Sequence, residues 1–488
     1  MAVTTLALAR LLLPMSAWMV LFIIAADALR LEKLGSRPHD SLDGAGLEAG
    51  AASSCVPLRN RHSHYTVRVT VGTPPRKLDL LADTGSDALI VNSCSCRESQ
   101  VCGDEEKCFS PHRSSTFNQS HDFKGHAHKA VMTFGSGRIE SRIGSDVVSV
   151  GNVSAQLTGG LYMLVDRKLN IDSKFEGILG LGPPHQAPPN GTLEFEPYGF
   201  LEAAGISRFS ICLNRGKSGV MRLGTPPFEK KLGSIGRAHW GLRFDGVSVG
   251  DWHLGDICDS PGSCAALPDS GTTLITAPAE HLRILFSHIC EHWPRCNETF
   301  QNNTLKTDHK WFHFERLLLD CHDWAGLRGG KLNETLINLE LPHLRFTVTG
   351  EGGERQKLKL LAEDYILHMK SVTHLAATPH WLPRWMGGHV MPYEGKERNV
   401  CSPAFHPMNT TSTNMGQIWI LGLPVLQKYQ VSYDRSTRPP SMSFSSTPCD
   451  GCDEVRLHST SGLSDERRQG LMWLDTPPRV PTFPVEEL

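Results

Sequence analysis

Two segments of this 488-residue chain repeat one another, and this duplication constrains the fold more than any other feature of the sequence. In Leu80–Ser86 and in Ala266–Thr272, apolar residues lead into an Asp, then Thr or Ser, then Gly, then a second hydroxyl residue. A shorter apolar segment ending in glycine follows each copy downstream, Phe175–Gly180 after the first and Ile418–Gly422 after the second. A duplication on this scale predicts two related lobes that face one another.

The predicted fold class is mainly β, with a cleft between the two lobes. The chain is too long for a single hydrophobic core, and helical candidates are few, chiefly Glu280–Ile289 and Val425–Tyr429. We assign residues 59–243 to an N-terminal lobe, residues 244–448 to a C-terminal lobe and residues 449–488 to a C-terminal tail. The alternation of β-branched and polar residues in Tyr65–Val71 predicts a strand. Further short strand-like runs, in a chain punctuated by Gly, Pro and Asn, are Lys77–Ala82, Ala88–Val91, Ala130–Phe134, Asp146–Val150 and Leu344–Val348.

The N-terminal residues are typical of an exported chain. Arg10 precedes an apolar run, Leu11–Ala26, and Ala26-Asp27-Ala28 fits the small-x-small rule for signal peptidase. We therefore predict a signal peptide over residues 1–28, followed by a prosegment or leader over residues 29–58 that is rich in Gly, Ala and Ser. The alternative is that the apolar run is retained as a membrane anchor.

Cysteines and glycosylation sequons agree with passage through the secretory pathway, so the predicted location is outside the cell or in the lumen of an endomembrane compartment. The 14 cysteines are even in number and several are closely spaced, which predicts disulfide-closed loops in an exported chain. Zinc is the alternative, but the cluster at residues 94–108 lacks the two-residue spacing of structural zinc sites. N-x-Ser/Thr sequons occur at Asn118, Asn152, Asn190, Asn297, Asn302, Asn333 and Asn409.

The aspartates of the two copies, Asp83 and Asp269, are the candidate catalytic residues. Two carboxylates at short range cannot both ionise cheaply, so such a pair shares a proton. One member then acts as general base toward a water molecule, while the protonated member donates to a substrate carbonyl. A single Asp-Thr-Gly is ordinary turn chemistry, but two copies with matched downstream segments favour a catalytic pair.

The residues beside each aspartate have predicted supporting roles. The glycine of each motif lets the chain turn tightly and brings backbone N–H groups near the carboxylate. We expect the last hydroxyl residue of each motif to hydrogen-bond its own aspartate, and the first to reach across the junction and tie the lobes together. These supporting residues are Thr84, Gly85, Ser86, Ser270, Gly271 and Thr272.

The motifs resemble those of the pepsin-type eukaryotic aspartic proteases. The resemblance extends from about Tyr65 to Phe444 and includes the turn Val71–Pro74, both Asp motifs and both downstream glycine segments. Cys264 also falls where that family commonly has a half-cystine. The resemblance implies a bilobal β fold, a cleft for an extended peptide, a β-hairpin flap, an acidic working pH, and neither metal nor organic cofactor.

The flap departs from the pattern of that family. Val131–Gly137 aligns with the flap hairpin, but Phe134 takes the position of the family's tyrosine, and Ile90 takes that of the tryptophan that hydrogen-bonds it. Loss of both partners leaves no buried donor unpaired. We interpret this as an altered flap beside a more apolar pocket, with Phe134, Gly135, Ser136 and Ile90 as the flap and substrate-binding residues.

A Cys-rich loop at residues 94–108 follows the first motif. It resembles the inserts of nepenthesin-like plant enzymes and of some parasite secretory-pathway proteases. Cys321 with Cys401 is a candidate for the long bridge of the C-terminal lobe, and Cys290 with Cys296 for a local loop. Spacing alone leaves the connectivity open.

Two histidine clusters raise the question of a metal, and we predict no metal ligand in either. His288–His292 fits the H-x-x-E-H pattern of inverted zinc proteases, which needs both histidines on one face of a continuous helix and a third ligand. Trp293-Pro294 ends any helix at that point, and Cys290 is assigned to a disulfide. The second cluster, assigned to an exposed loop, comprises His121, His126 and His128.

The sequence thus predicts an aspartic-type endopeptidase that acts as a monomer on polypeptide substrates. The net charge of −2, without a basic patch interleaved with aromatic residues, excludes nucleic acid as a predicted partner. Two alternatives remain: a catalytically silent protease-fold binding or inhibitor protein, and a membrane-tethered processing protease that retains the apolar run. The leader is shorter and less basic than a pepsin propeptide, so inhibition of a zymogen by a leader lysine is not predicted.

Overall fold

The computed structural model of the chain describes residues 53–103, 106–134, 137–169, 176–184, 199–255, 257–258, 260, 262–302, 309–326, 332–372, 397–412 and 414–452. The predicted signal peptide, most of the predicted leader and most of the tail lie outside these residues. Gly135, Ser136 and Phe175 also lie outside them, and only the backbone of Phe134 is described.

Strands dominate the described part of the chain, which confirms the predicted fold class. The strands that precede residue 240 are β1 (Ser54–Asn60), β2 (Tyr65–Val71), β3 (Arg76–Asp83), β4 (Leu89–Asn92), β5 (Asn118–Gln119), β6 (Lys129–Phe134), β7 (Gly137–Val150), β8 (Val153–Leu169), β9 (Gly177–Gly180), β10 (Arg208–Cys212), β11 (Gly219–Leu223) and β12 (Leu232–Gly233). The later strands are β13 (Leu242–Val249), β14 (Trp252–His253), β15 (Cys264–Pro268), β16 (Ile275–Ala277), β17 (Leu344–Thr349), β18 (Arg355–Leu360), β19 (Ile366–Val372), β20 (Glu397–Pro403), β21 (Phe405–Pro407), β22 (Thr411–Ser412), β23 (Gly416–Leu421), β24 (Gln430–Asp434) and β25 (Ser441–Ser445).

Helices are concentrated in the second half of the described chain. They are α1 (Cys94–Glu98), α2 (Phe200–Ala203), α3 (Ala279–His292), α4 (Pro294–Gln301), α5 (Lys310–Leu319), α6 (Cys321–Trp324), α7 (Glu334–Glu340), α8 (Ala362–Tyr365) and α9 (Leu423–Leu426), with a 3-10 turn at Pro111–Arg113. The predicted helix Glu280–Ile289 lies within α3. The helix predicted at Val425–Tyr429 instead begins at Leu423, because Pro424 occupies the first turn, where its missing N–H has no cost. No helix among the described residues is both long and apolar enough to cross a membrane.

The first sheet is built from strands of the N-terminal half and is completed by two strands from near the C-terminus. Its order is β12-β25-β24-β10-β11-β1-β2-β3-β9-β4-β8-β7-β5, with β6 paired to β7. The pairing of β24 with β10 places Phe209 opposite Tyr433, and their rings stack with centroids 4.7 Å apart. Residues 430–445 fall within the predicted C-terminal lobe, whereas β24 pairs with β10 and thereby joins β25 to this first sheet.

The second sheet has the order β18-β17-β13-β15-β23-β16-β21, with β14 beside β13 and β22 beside β23, while β19 and β20 form a separate pair. It begins at Leu242, next to the predicted boundary between the lobes. Helix α3 packs on α5 through Phe286 and Phe314, whose ring centroids are 5.1 Å apart, and on β21 through Phe405.

Strand β1 lies largely within the residues that the sequence analysis assigned to the leader. Val56 and Leu58 are buried, whereas Cys55, Pro57 and Arg59 between and beside them are exposed. This alternation is the pattern of a strand with one face on the core. Because β1 pairs with both β11 and β2, residues 54–58 are part of the folded sheet.

All 14 cysteines are paired in disulfides. The structure confirms the two candidate pairs, Cys290–Cys296 and Cys321–Cys401. The four cysteines of residues 94–108 pair with one another in disulfides, so the zinc alternative for this segment is wrong. Two long-range bridges, not predicted from the sequence, tie the first residues of the tail to β1 and β10. The pairs are Cys55–Cys452, Cys94–Cys108, Cys96–Cys102, Cys212–Cys449, Cys258–Cys264, Cys290–Cys296 and Cys321–Cys401.

Candidate active site

Each aspartate lies at the end of a strand that runs parallel to its downstream glycine segment. Asp83 ends β3 and faces Gly180 in the parallel pairing with β9. Asp269 directly follows β15, which pairs in parallel with β23. Main-chain bonds close both arrangements: the N–H of Leu181 donates to the carbonyl of Asp83 at 2.7 Å, and the N–H of Asp269 donates to the carbonyl of Leu421 at 3.1 Å. The matched segments seen in the sequence are therefore partner strands.

The glycines of the downstream segments allow a close approach of two backbones. A Cβ atom at Gly180 would lie 2.4 Å from the carbonyl carbon of Asp87, and one at Gly422 would lie 2.2 Å from the carbonyl oxygen of Leu274. Both distances are too short for any residue with a side chain. Glycine at these two positions lets the turn after each aspartate lie directly on its partner strand.

The first hydroxyl residue of each motif bonds across the junction between the two halves. The N–H of Thr84 donates to Ser270 Oγ at 3.1 Å, and the N–H of Ser270 donates to Thr84 Oγ1 at 3.0 Å. Each hydroxyl in turn donates to a carbonyl of the opposite strand, Thr84 to Pro268 at 3.1 Å and Ser270 to Ala82 at 2.7 Å. These reciprocal bonds are fully buried, so they hold the two motifs in one register.

The carboxyl group of Asp83 is held by donors from its own motif. The N–H of Gly85 donates to Oδ1 at 2.9 Å, and the hydroxyl of Ser86 donates to Oδ2 at 2.6 Å. Asp269 repeats the arrangement: Gly271 donates its N–H to Oδ1 at 2.8 Å, and the hydroxyl of Thr272 donates to Oδ2. Each carboxyl group is thus fixed at both oxygens.

The two carboxyl groups meet at the junction. A Cβ atom at Gly271 would lie 2.4 Å from Asp83 Oδ1 and 3.2 Å from Asp269 Oδ1, so one oxygen of each group borders the same point. Besides burial, the neighbouring carboxyl group of Asp83 raises the pKa of Asp269, as expected for two carboxyl groups at short range. Burial is nearly complete, with 7% of Asp83 and 3% of Asp269 exposed.

The surroundings of Asp269 favour its protonated form. Burial raises its pKa well above the ordinary value, and the neighbouring charge of Asp83 raises it further, against the opposing bonds from Thr272 and Gly271. Two carboxyls in contact in a buried site hold one proton between them more readily than two negative charges. A pair of carboxyl groups in these two states can supply a general base and a general acid to one reacting group.

Two adjacent residues that were not predicted from the sequence, His239 and Trp240, hydrogen-bond the first motif and its partner strand. His239, 3% exposed, bonds through Nδ1 to the carbonyl of Gly85 at 2.8 Å. A carbonyl only accepts, so Nδ1 carries the proton. Burial lowers the pKa of His239, which keeps the imidazole neutral. Trp240 donates its indole N–H to the carbonyl of Leu181 at 2.9 Å. Neither residue belongs to a recognisable motif, and their distance along the chain from Asp83 gives no local signal.

The residues predicted to form the flap include β6, which pairs with β7 as a hairpin in which Met132 lies opposite Ile139 and Phe134 opposite Gly137. Ile90 is completely buried and belongs to an apolar cluster with Leu81 and Ile139, against which Met132 packs. The apolar surroundings expected at Ile90 are therefore present, and its side chain is completely enclosed by them, so Ile90 does not reach a surface that a substrate could touch.

Comparison with known proteins points to one family. The sequence model of the family described as eukaryotic aspartyl protease matches residues 64–307. Renin-2 of Mus musculus is 24% identical over 391 residues, which cover 77% of this chain and 78% of renin-2. Cathepsin E-A of Xenopus laevis is 28% identical, covering 45% of this chain and 55% of that protein. Pepsin A of Rhinolophus ferrumequinum is 26% identical, covering 50% of this chain and 62% of that protein. The chain thus spans less than two thirds of the length of the last two relatives.

The cross-junction bonds predict a sharp difference between two substitutions at Thr84. Thr84→Val keeps the shape but leaves the N–H of Ser270 and the carbonyl of Pro268 without this partner, at a cost of about 1–3 kcal/mol for each group. Thr84→Ser keeps the hydroxyl and matches the other copy, so it should remain close to wild type. Urea unfolding measures the difference, and equal loss of stability in both variants would contradict the role of the hydroxyl.

His239 is expected to act as a positioning residue for the Asp83 turn. Removal of its N–H donor in His239→Phe should reduce kcat roughly tenfold to a hundredfold, because small displacements of catalytic groups are costly. His239→Asn places an amide N–H near the same point and should recover most of the loss. Cleavage rates measured across the pH range check this, and a variant pair that differs only in KM would argue for a role in substrate binding instead.

Proposed function

The chain belongs to the eukaryotic aspartyl protease family, and on that premise we propose that Asp83 and Asp269 form the dyad that hydrolyses a peptide bond of an extended polypeptide. The observation that carries the proposal is that the two copies of the motif bring two buried carboxyl groups to the same point beside Gly271. Their hydroxyl and N–H donors, and the reciprocal bonds between Thr84 and Ser270, give the rigidity that such a pair requires.

The proposed mechanism assigns opposite protonation states to the two groups. Asp83, ionised, accepts a proton from a water molecule as that water attacks the carbonyl carbon, and Asp269 gives its proton to the carbonyl oxygen. In the collapse of the tetrahedral intermediate, Asp83 passes its proton to the leaving amine, and Asp269 recovers a proton from the intermediate's hydroxyl. Both carboxyls end as they began, and the only co-reactant is water.

The proposal extends to substrate and setting. The hairpin of β6 and β7 is the proposed flap, and the apolar cluster around Ile90 favours an apolar side chain beside it. Passage through the secretory pathway is supported by the paired cysteines and by sequon asparagines that the structure exposes, namely Asn118, Asn152, Asn302 and Asn409. Cleavage of the signal peptide and action as a monomer stay predictions.

The dyad is tested by replacing each carboxyl with its neutral isostere. Asp83→Asn and Asp269→Asn should each abolish cleavage of a peptide library at mildly acidic pH, since neither variant can both accept and donate a proton. Asp251→Asn, which alters an exposed carboxylate, is the matched control and should cleave normally. Products are profiled by mass spectrometry. Retained turnover in either dyad variant, with wild-type cleavage sites, would overturn the assignment, and inactivity of the wild type itself would favour the silent binding protein.

The raised pKa of Asp269 predicts how stability and activity depend on pH. A folded-state pKa above the unfolded value means that the fold binds the proton more tightly, so this contribution is present at low pH and is lost as pH rises through the folded pKa. Activity should fall in the same direction, because the dyad loses its acid. Urea unfolding and kcat/KM measured over pH check both trends.

Glu315 provides the control for that experiment. Burial raises the pKa of Glu315 to about 8. Its contribution to the free energy of unfolding is therefore also lost as pH rises, as for Asp269. Glu315→Gln should therefore flatten the dependence of stability on pH while leaving the pH profile of kcat/KM unchanged. If the fall of kcat/KM at high pH moves to a different pH in this variant, that fall does not come from titration of the dyad.

A further inference from the structure

Helix α3 presents a complete H-x-x-E-H motif on one face. The helix runs from Ala279 to His292 and ends only after the second histidine, so the Trp-Pro pair that follows leaves the motif intact. His288 and His292 are four residues apart in sequence and therefore lie one above the other on the helix surface. The continuous helix that the sequence analysis doubted is present.

The three side chains of the motif converge. The donor atoms of His288, Glu291 and His292 all lie within 4.8 Å of one another, and His288 Nδ1 is 3.0 Å from Glu291 Oε2. A tetrahedral ion with bonds of about 2.0–2.2 Å needs donors roughly 3.4 Å apart. The His288–Glu291 separation of 3.0 Å and the upper limit of 4.8 Å bracket that value. About a third of the His288 and Glu291 side chains is exposed, which leaves a further coordination position open to water.

Neighbouring groups hold these donors in the orientation that a metal requires. His292 Nδ1 lies 2.8 Å from the carbonyl of His288, so Nδ1 carries the hydrogen and Nε2 carries the lone pair. A ligating histidine usually donates its other N–H in this way. Lys310 donates to Glu291 Oε1 at 2.5 Å, which leaves Oε2 turned toward His288.

We propose that His288, Glu291 and His292 form a surface site for a divalent metal ion that imidazole ligands favour, zinc foremost. Two imidazoles and one carboxylate suit zinc, and also copper and nickel, better than calcium or magnesium. Glu291 serves as a ligand braced by Lys310 rather than as a general base, so the site is structural and separate from the aspartate dyad. A bound ion would join successive turns of α3 beside the Cys290–Cys296 bridge.

The test uses the full chain without a polyhistidine tag, after chelator treatment, with zinc chloride alone as the probe. Calorimetric titration should show one saturable zinc ion per chain and a rise in Tm. The double variant His288→Ala/His292→Ala should lose this binding, and Glu291→Gln should weaken it by at least about tenfold. Unchanged binding in the double variant, or no saturable heat in the wild type, would overturn the proposal.

Trp252 offers an independent readout, since its ring centroid is 5.7 Å from that of His292. Copper(II) at the site should quench its fluorescence in the wild type, and this quenching should disappear in His292→Ala.

His322→Ala, which alters another partly exposed histidine beside a carboxylate, is the matched control and should bind zinc normally. The Tm of each variant without metal shows whether it folds. Peptide cleavage should be retained in the zinc-site variants, because the proposed site is distinct from the aspartate dyad.

Discussion

The junction between the two Asp motifs requires two acidic groups to be buried side by side, and much of the structure serves that requirement. A buried carboxyl group is costly unless donors satisfy it. Asp83 and Asp269 each receive one backbone N–H and one hydroxyl, all from within their own motif. Two such groups still repel when both are charged, so the contact is stable only with a proton between them. The single shared proton that makes the buried pair stable is therefore also the protonation state that the proposed mechanism requires.

The contact also has to be held against displacement, and three layers provide this. The reciprocal bonds of Thr84 and Ser270 lock the motifs to one another. Behind them, His239 and Trp240 hold the turn and the partner strand of Asp83. Further back, Trp240 packs on Tyr433 with centroids 4.9 Å apart, and Tyr433 stacks on Phe209 where β24 joins β10. The C-terminal strands thus reach the N-terminal motif through an aromatic cluster.

The two Asp motifs could be recognised in the sequence more readily than the residues that pack around them, because each motif is short and its neighbours come from distant parts of the chain. The Asp motifs and their glycine partners are local patterns whose chemistry is visible in a few residues, and strands such as Tyr65–Val71 follow from alternation. Strand β1 was missed because the Gly, Ala and Ser before it concealed the buried positions Val56 and Leu58. The bridges of Cys55 and Cys212 to the tail, and the contact of His239 with Gly85, join residues far apart in sequence. No spacing rule predicts such contacts.

Two departures from the family pattern, the changed flap and the Cys-rich loop, are connected in the folded chain. The Cys96–Cys102 bridge lies in the same apolar cluster as Ile90 and Ile139. The loop is anchored to β8, because Arg167 donates to the carbonyl of Val101 at 3.2 Å and pairs with a carboxylate of the same loop at 3.1 Å. A tryptophan at position 90 would need the space that this disulfide and its neighbours fill, since tightly packed interiors tolerate little added volume. The Cys-rich loop and the apolar cluster that contains Ile90 and Ile139 therefore pack together as one unit, and this packing accounts for an isoleucine at position 90.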